Sequence, residues 1–425
     1  MPRRRVAVTG LGVVSPLGND VASFWEGLCA GRSGVDFITD FPTDKLRSDV
    51  AAQVKGFDPG RHFSPKETEI YGRVTQLSLA AACEAMDQAG LGGLYHTDED
   101  APRRDLPGVD PSQIGCLVST GQGAVEIFEE QIARSVARGP RAVSPYFIPG
   151  VMPNSVAALI TIRFGLMGPS YNIASACATG THSIATSAMM IEAGDADVMV
   201  AGGAEAATRL NTVAGFGNAR ALARAVDGDP KKASRPFDRR RQGFVMGEGA
   251  GVLVLEAEDH ARARGARILA YVAGWGFSSD GAHLTRPLVE GTGLALAIDR
   301  ALRRAGVAPA EVGYVNPHAT STPQGDVAEY NALRRVFGEG LSRIPMSATK
   351  SMIGHLLGGA GAVESVATVC TLVDQTIHPS INVDDIDPVF AIDLVREARR
   401  ADVRFALKAS AGFGGHNGAL VFERA

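Results

Sequence analysis

Residues 171–194, YNIASACATGTHSIATSAMMIEAG, decide the fold. Tyr171 to Ser175 is a short β-type run, the stretch around Cys177 is a turn of small residues, and the following residues have helical composition until Gly194. A strand that feeds a helix through a tight turn is the unit of layered α/β proteins. Working outward, the unit recurs. VAVTGLGVV (6–14), IGCLVST (114–120), VMVAGGAEA (198–206), GVLVLEA (251–257), ILAYVAGWG (268–276), VGYVNPHAT (312–320) and GALVFE (418–423) are short apolar runs set between Ala-rich helical stretches. Such spacing implies at least partly parallel sheets covered by helices.

The pattern also repeats at large scale. IGCLVST passes through a Gly loop into VEIFEEQIARSVA (125–137), and VGYVNPHAT passes through STPQGD into VAEYNALRRVF (327–337). Cys177 opens one small-residue helix and His355 opens another, HLLGGAGAVESVATVCTLVDQ (355–375). A duplicated α/β chain is expected, with halves at 1–265 and 266–425.

Composition narrows the function classes. The chain has 425 residues, 45% hydrophobic and 21% charged, enough apolar surface to offset the entropy of ordering. Lys+Arg 42 against Asp+Glu 46 gives a net charge of −4, so no global basic field exists for nucleic acid. Five scattered cysteines without a C-x-x-C pair argue against a disulfide framework or cysteine zinc site, and point to a reducing, cytoplasmic setting. MPRRRVAVTGLGVV mimics a signal peptide, but its β-branched run broken by Gly10 and Gly12 reads as a first core strand. No uninterrupted apolar run approaches the roughly 18 residues of a bilayer span, so no membrane is expected. Asp98 to Pro111, charged and Pro-rich, reads as an exposed loop.

Cys177 is the first chemical candidate. A cysteine where a helix begins meets the positive end of the backbone dipole, which favours thiolate, and the free N–H groups there can bind an oxyanion. The plainer alternative is a small buried hydrophobe, the reading given to Cys29, Cys83, Cys116 and Cys370. His318 ends a strand, where polar side chains converge on ligands; a loop-capping role competes. His355, at an expected helix start, should stay neutral. Lys350 is either a surface lysine or part of the site. Glu364, an acid on an apolar helix, implies a buried partner, with a structural Lys–Glu pair the simpler option. His182 points away from Cys177, five helical steps on, and reads as packing. The nine histidines form no metal-ligand motif, and no phosphate-binding Gly loop is present.

Taken together, Cys177, His318, Lys350 and His355, followed by GFGGHNG (412–418), resemble the elongating β-ketoacyl-acyl-carrier-protein synthases, most closely their type II branch. The likeness runs from VAVTGLGVVSPLG through GPSYNIASACATG, SRPFDRRRQGFVMGEGAGVLVLE and KSMIGHLLGGAGAVES to AGFGGHNGALVF. It implies a thiolase-like fold of two related halves in α-β-α-β-α layers, usually a homodimer. It makes Cys177 the acyl-accepting nucleophile and His318 and His355 the pair supporting decarboxylation. Lys350 becomes the ordering lysine with Glu364 its acidic neighbour. Phe413 becomes an aromatic gate whose N–H joins that of Cys177 in an oxyanion hole. Thr285, Thr320 and Thr322 match pantetheine contacts, and Gln122 falls where an apolar residue commonly borders the acyl pocket. Lys66, Arg141 and Arg220 match positions that dock the acidic carrier. The partners implied are acyl-carrier protein with its phosphopantetheine arm and malonyl and acyl thioesters; no cofactor or metal is implied.

The chain departs from the family pattern at Ala178, Ala319, Gln242, Arg286 and His416. Residues 220–241 carry a local excess of basic residues that offers a second docking face. A ketosynthase of a polyketide or other secondary-metabolite pathway is the neighbouring alternative. A cysteine acyl hydrolase is the alternative from another class, and the second histidine with Lys350 speaks against it.

Overall fold

The computed structural model describes residues 3–97, 106 and 108–425. Most of the expected 98–111 loop lies outside the described residues. Ten strands form one sheet: β1 (Val6–Val14), β2 (Ile114–Ser119), β3 (Val198–Glu205), β4 (Gly249–Ala257), β5 (Ala270–Ser279), β6 (Val312–Asn316), β7 (Pro345–Met346), β8 (Asp393–Leu394), β9 (Phe405–Gly412) and β10 (His416–Arg424). Their order is β8-β7-β6-β9-β10-β5-β1-β4-β3-β2. The helices that matter are α1 (Arg73–Gln88), α2 (Val125–Arg138), α3 (Thr179–Ala193), α4 (Thr292–Ala305), α5 (Pro323–Phe337), α6 (Lys350–Ile353) and α7 (Ala360–Asp374).

The sheet is two copies of one arrangement. β2-β3-β4-β1 matches β6-β9-β10-β5, and the copies meet where β1 pairs with β5 at Ala7↔Tyr271 and Val8↔Ala270. β1 runs antiparallel to β4 from Val6↔Ala257 to Val14↔Ala250, and β5 to β10 from Ala270↔Arg424 to Ser279↔His416. Each ladder carries one bulge, at Thr9 in β1 and at Ala273 in β5.

Helix packing repeats as well. A Cβ on Gly10 or Gly12 would lie 2.0 or 1.8 Å from the Ala85 or Ala81 carbonyl of α1. On Gly274 or Gly276 it would lie 2.2 or 2.0 Å from the Ala301 or Ala297 carbonyl of α4. Both halves thus press a Gly-x-Gly strand against small residues one helical turn apart. α1 and α4 cover the outer faces, while α3 and α7 pack on each other between the two strand sets. Along β4, Leu253 and Leu255 face this middle layer and Val252 and Val254 the α1 side, so both faces are buried and the strand reads as a continuous apolar run.

One sequence expectation changes, and one feature was not anticipated. Tyr171–Ser175 joins no ladder; only Ser170 bridges Cys116 before the chain turns. Leu357–Asp374 is long and apolar enough by length and composition to cross a membrane, although no uninterrupted apolar run suggests it. It is 89% buried within the protein and serves as the central helix.

Candidate active site

Cys177 lies in a 3-10 turn, Ala176–Ala178, that runs directly into α3. Ala176 adopts φ 50°, and the Ser175 N–H donates to Thr179 Oγ1 at 2.9 Å, which fixes the turn. His318 follows β6 in a loop with Ala319 at φ 40° and Ser321 at φ 69°. Glu329 of α5 holds that loop by accepting the backbone N–H groups of His318 and, at 2.7 Å, Ala319. His355 sits ahead of α7 instead of opening it, and its N–H donates to the Val245 carbonyl at 2.7 Å. Two residues on, Leu357 has φ 48°. Each key side chain therefore has a left-handed, non-glycine residue within two positions, at about 1–2 kcal/mol apiece.

These three loops converge. The Cys177 sulfur and one nitrogen from each of His318 and His355 all lie within 4.8 Å of one another. The two rings stand edge to face, centroids 5.2 Å apart. Lys350, buried at the start of α6, ion-pairs with Glu364 of α7 and places Nζ 3.4 Å from His318 Nδ1. An ammonium can only donate, so Nδ1 accepts and the ring proton of neutral His318 resides on Nε2. The same trio has the reach of a metal-ligand set, although Lys350 beside it opposes a cation.

Burial sets the charge states. It pushes the Cys177 thiol up to about 11, against the pull of Lys350 and an N–H from Phe413. The thiolate expected from the helix start therefore does not prevail: burial outweighs the N–H groups and the nearby ammonium. Both His318 and His355 are held well below the usual imidazole range, first by burial and then by Lys350. The expected neutral His355 thus has a different cause from the helix terminus. His182 Nε2 donates to the Asn417 carbonyl (3.1 Å), and its Nδ1 hydrogen-bonds with Ser175 Oγ (2.8 Å), a packing role as expected.

A cavity of about 870 Å³ opens above the trio. Gln122, Thr285, Thr320, Thr322 and Phe413 all line it. Thr320 and Thr322 hydroxyls are 3.0 Å apart. Gln242, Arg286 and His416 line it too. Arg220 reaches its wall; Lys66 on Pro65–Ile70 and Arg141 on Pro140–Ala142 do not. The basic 220–241 stretch is largely neutralised: Arg235 pairs with Asp384 (2.9 Å), Arg239 with Asp385 (3.4 Å) and Arg241 with Asp387 (2.8 Å). A second cavity of about 820 Å³ shares Gln122, Phe216 and Phe413 with the first and continues along Val125, Phe128 and Ile132.

Three buried groups escaped the sequence reading. Glu205, at the end of β3, has a carboxyl raised to about 7 by burial and accepts from the Thr120 hydroxyl (2.6 Å) and the Gly358 N–H (3.1 Å). Glu329 and Lys408 are the others. A lysine within the otherwise apolar FALKASA run was the available signal for Lys408.

The comparisons agree along the chain. Residues 3–261 match the profile of the β-ketoacyl synthase N-terminal domain, and residues 269–384 that of its C-terminal domain. The chain is 45% identical over 427 residues to 3-oxoacyl-[acyl-carrier-protein] synthase 2 of Vibrio cholerae, covering 100% of both. It is similar in structure to a β-ketoacyl synthase from Burkholderia phymatum: TM-score 0.88, 34% identity, 99% of this chain and 100% of that one. It is also similar to a type II polyketide ketosynthase solved with its acyl-carrier protein and bound to a hexaketide: TM-score 0.90, 31% identity, 100% of both chains.

Proposed function

The chain belongs to the β-ketoacyl synthase family, and from that premise we propose that it extends acyl chains by decarboxylative Claisen condensation on acyl-carrier protein in fatty acid elongation. The observation that carries this is the meeting of one sulfur and two imidazole nitrogens within 4.8 Å, beneath a large cavity. Relatives at 39–45% identity named 3-oxoacyl-acyl-carrier-protein synthase support the fatty acid pathway.

The Cys177 sulfur attacks the carbonyl of an acyl thioester; its proton passes to the departing carrier thiol. Covalent capture divides the reaction into two steps. Malonyl thioester then enters and releases carbon dioxide, leaving its electron pair as an enolate. N–H groups of the neutral His318 and His355 rings stabilise the charge on the enolate oxygen in a buried site. The enolate carbon attacks the acyl-Cys177 carbonyl. The Cys177 and Phe413 N–H groups receive the tetrahedral oxyanion, and collapse forms the 3-oxoacyl product and frees the sulfur, which takes up a proton. Lys350, anchored by Glu364, fixes the His318 tautomer. Thr285, Thr320 and Thr322 hold the pantetheine arm, and Phe413 stands between the two cavities as a gate to the acyl chain, with Gln122 at its border.

The rest of the reading follows this chemistry. Residues 1–265 supply the nucleophile and 266–425 the histidines and lysine. Arg220, with Lys66 and Arg141 farther out, faces the acidic carrier. A homodimer is part of the reading, as is a cytoplasmic setting, supported by free thiols at all five cysteines. Intact mass after incubation with acyl-carrier proteins tests the scheme. One acyl adduct on Cys177 is expected, and none in Cys177→Ala. His355→Ala should still acylate but condense roughly 10²–10³-fold more slowly. Labelling of Cys177→Ala, or full condensation by His355→Ala, contradicts it.

A further inference from the structure

Lys408 is a buried charge that the condensation scheme leaves unused. It lies on β9, fully enclosed, with Nζ 2.8 Å from Glu364 Oε2 and 3.1 Å from Ser410 Oγ, and it also donates to the Ala409 carbonyl. Glu364 Oε1 is the oxygen that holds Lys350. One buried carboxylate therefore carries two ammonium groups. A second enclosed acid, Glu329, holds the His318 loop and feels both lysines. Two ammonium groups face two carboxylates, directly behind the imidazole pair.

We propose that Lys408 is a positioning residue for decarboxylation: it balances Glu329 and Glu364, so that His318 and His355 stay uncharged and Lys350 can donate to His318 Nδ1. This rests on the condensing function above and adds a residue to it.

The surroundings of the rings support the charge count. Lys350 on α6, Glu364 on α7, Glu329 on α5 and Lys408 on β9 face them from behind. Cys177 at the head of α3 faces them in front. Glu205 at the end of β3 lies beyond the sulfur, tied to Thr120 and Gly358. Without Lys408, one carboxylate charge behind the rings is uncompensated. The nearest bases then bind a proton more readily, and a His318 protonated at Nδ1 no longer accepts from Lys350. Lys350 and Lys408 both act to hold the His355 proton affinity down, which agrees with this direction.

The test is the pH profile of malonyl-thioester decarboxylation by the intact enzyme, compared with Lys408→Met and Lys408→Gln. Met removes charge and hydrogen bonding; Gln keeps a donor for Ala409. Wild type should be flat through the ordinary imidazole range near 6.5. Both variants should gain an acidic limb, displaced upward by about one to three pH units from the wild-type titration and falling about tenfold per unit below it. Lys408→Arg, which keeps the charge, should stay flat. Cys177 acylation by mass shows that each variant's site is formed. An acylated variant with an unchanged profile, or one slowed equally at every pH, overturns the proposal but leaves the condensing function standing. Wild type that acylates but never condenses overturns the function instead. Should neither variant fold, a wild-type limb centred near 6.5 overturns the proposal and a flat profile supports it.

Discussion

Cys177 shows how burial and hydrogen bonding compete at a single atom. The thiol is pushed up to about 11, so below that value its thiolate fraction rises about tenfold per pH unit. Alkylation of Cys177 by iodoacetamide, followed by peptide mass, should climb steadily from pH 7 to about 10. A plateau near the free-cysteine value of about 8.5 would falsify the burial account. Cys177, His318, Lys350, His355 and Glu364 were legible as a set, through the family resemblance that their order along the chain carries, while the local setting of each left a plainer alternative open. Their charge states were not, because desolvation depends on everything packed around them. Lys408 and Glu205 were missed for the same reason: their partners, Glu364 and Gly358, are far away along the chain.

At the scale of elements, the Gly-x-Gly strands set how closely helices approach the sheet. A methyl on Gly12 would sit 1.8 Å from the Ala81 carbonyl oxygen and 2.9 Å from the Ala85 nitrogen, both backbone atoms of α1, so backbone must shift to admit it. Gly12→Ala should cost about 1–3 kcal/mol or more in a denaturant melt. Gly215, in the helix Leu210–Asn218, has nothing within 4 Å of its added Cβ. Gly215→Ala should instead stabilise by about 0.5–1 kcal/mol. Equal effects at the two sites would contradict this packing. The apolar runs revealed most of the core strands, since both faces are buried. They misread Tyr171–Ser175, whose composition suits a strand but whose backbone finds no neighbour to pair with. They also gave no sign that His355 stops short of α7, because a helix boundary is set by where the carbonyls find partners.

For the whole molecule, α2 leaves Phe128 (49% exposed), Ile132 (48%) and Val136 (84%) along one face. Spacings of four residues place them on a single stripe, and the first two also border the second cavity. A second copy of the chain covering this stripe would enclose the cavity. Sedimentation should give twice 44.4 kDa, and Phe128→Asp should shift the protein towards the single-chain mass. A wild-type protein sedimenting as one chain at micromolar concentration would count against the dimer. The duplication was visible beforehand as two strand-loop-helix series; the match of the β1·β4 and β5·β10 ladders, each with its one bulge, was not, because register is decided by cross-strand partners.

The two-residue seam between β1 and β5 carries an implication about origin. Superposing Gly10 and Gly12 on Gly274 and Gly276 lays Ala7 over Tyr271. These are the very residues that pair across the seam, and Val8 meets Ala270, the counterpart of Val6. An internal two-fold axis therefore passes through that spot, as it would if a strand met its own twin. A half-length ancestor could have joined to itself at this edge, and the present polypeptide would then be that pair fused end to end.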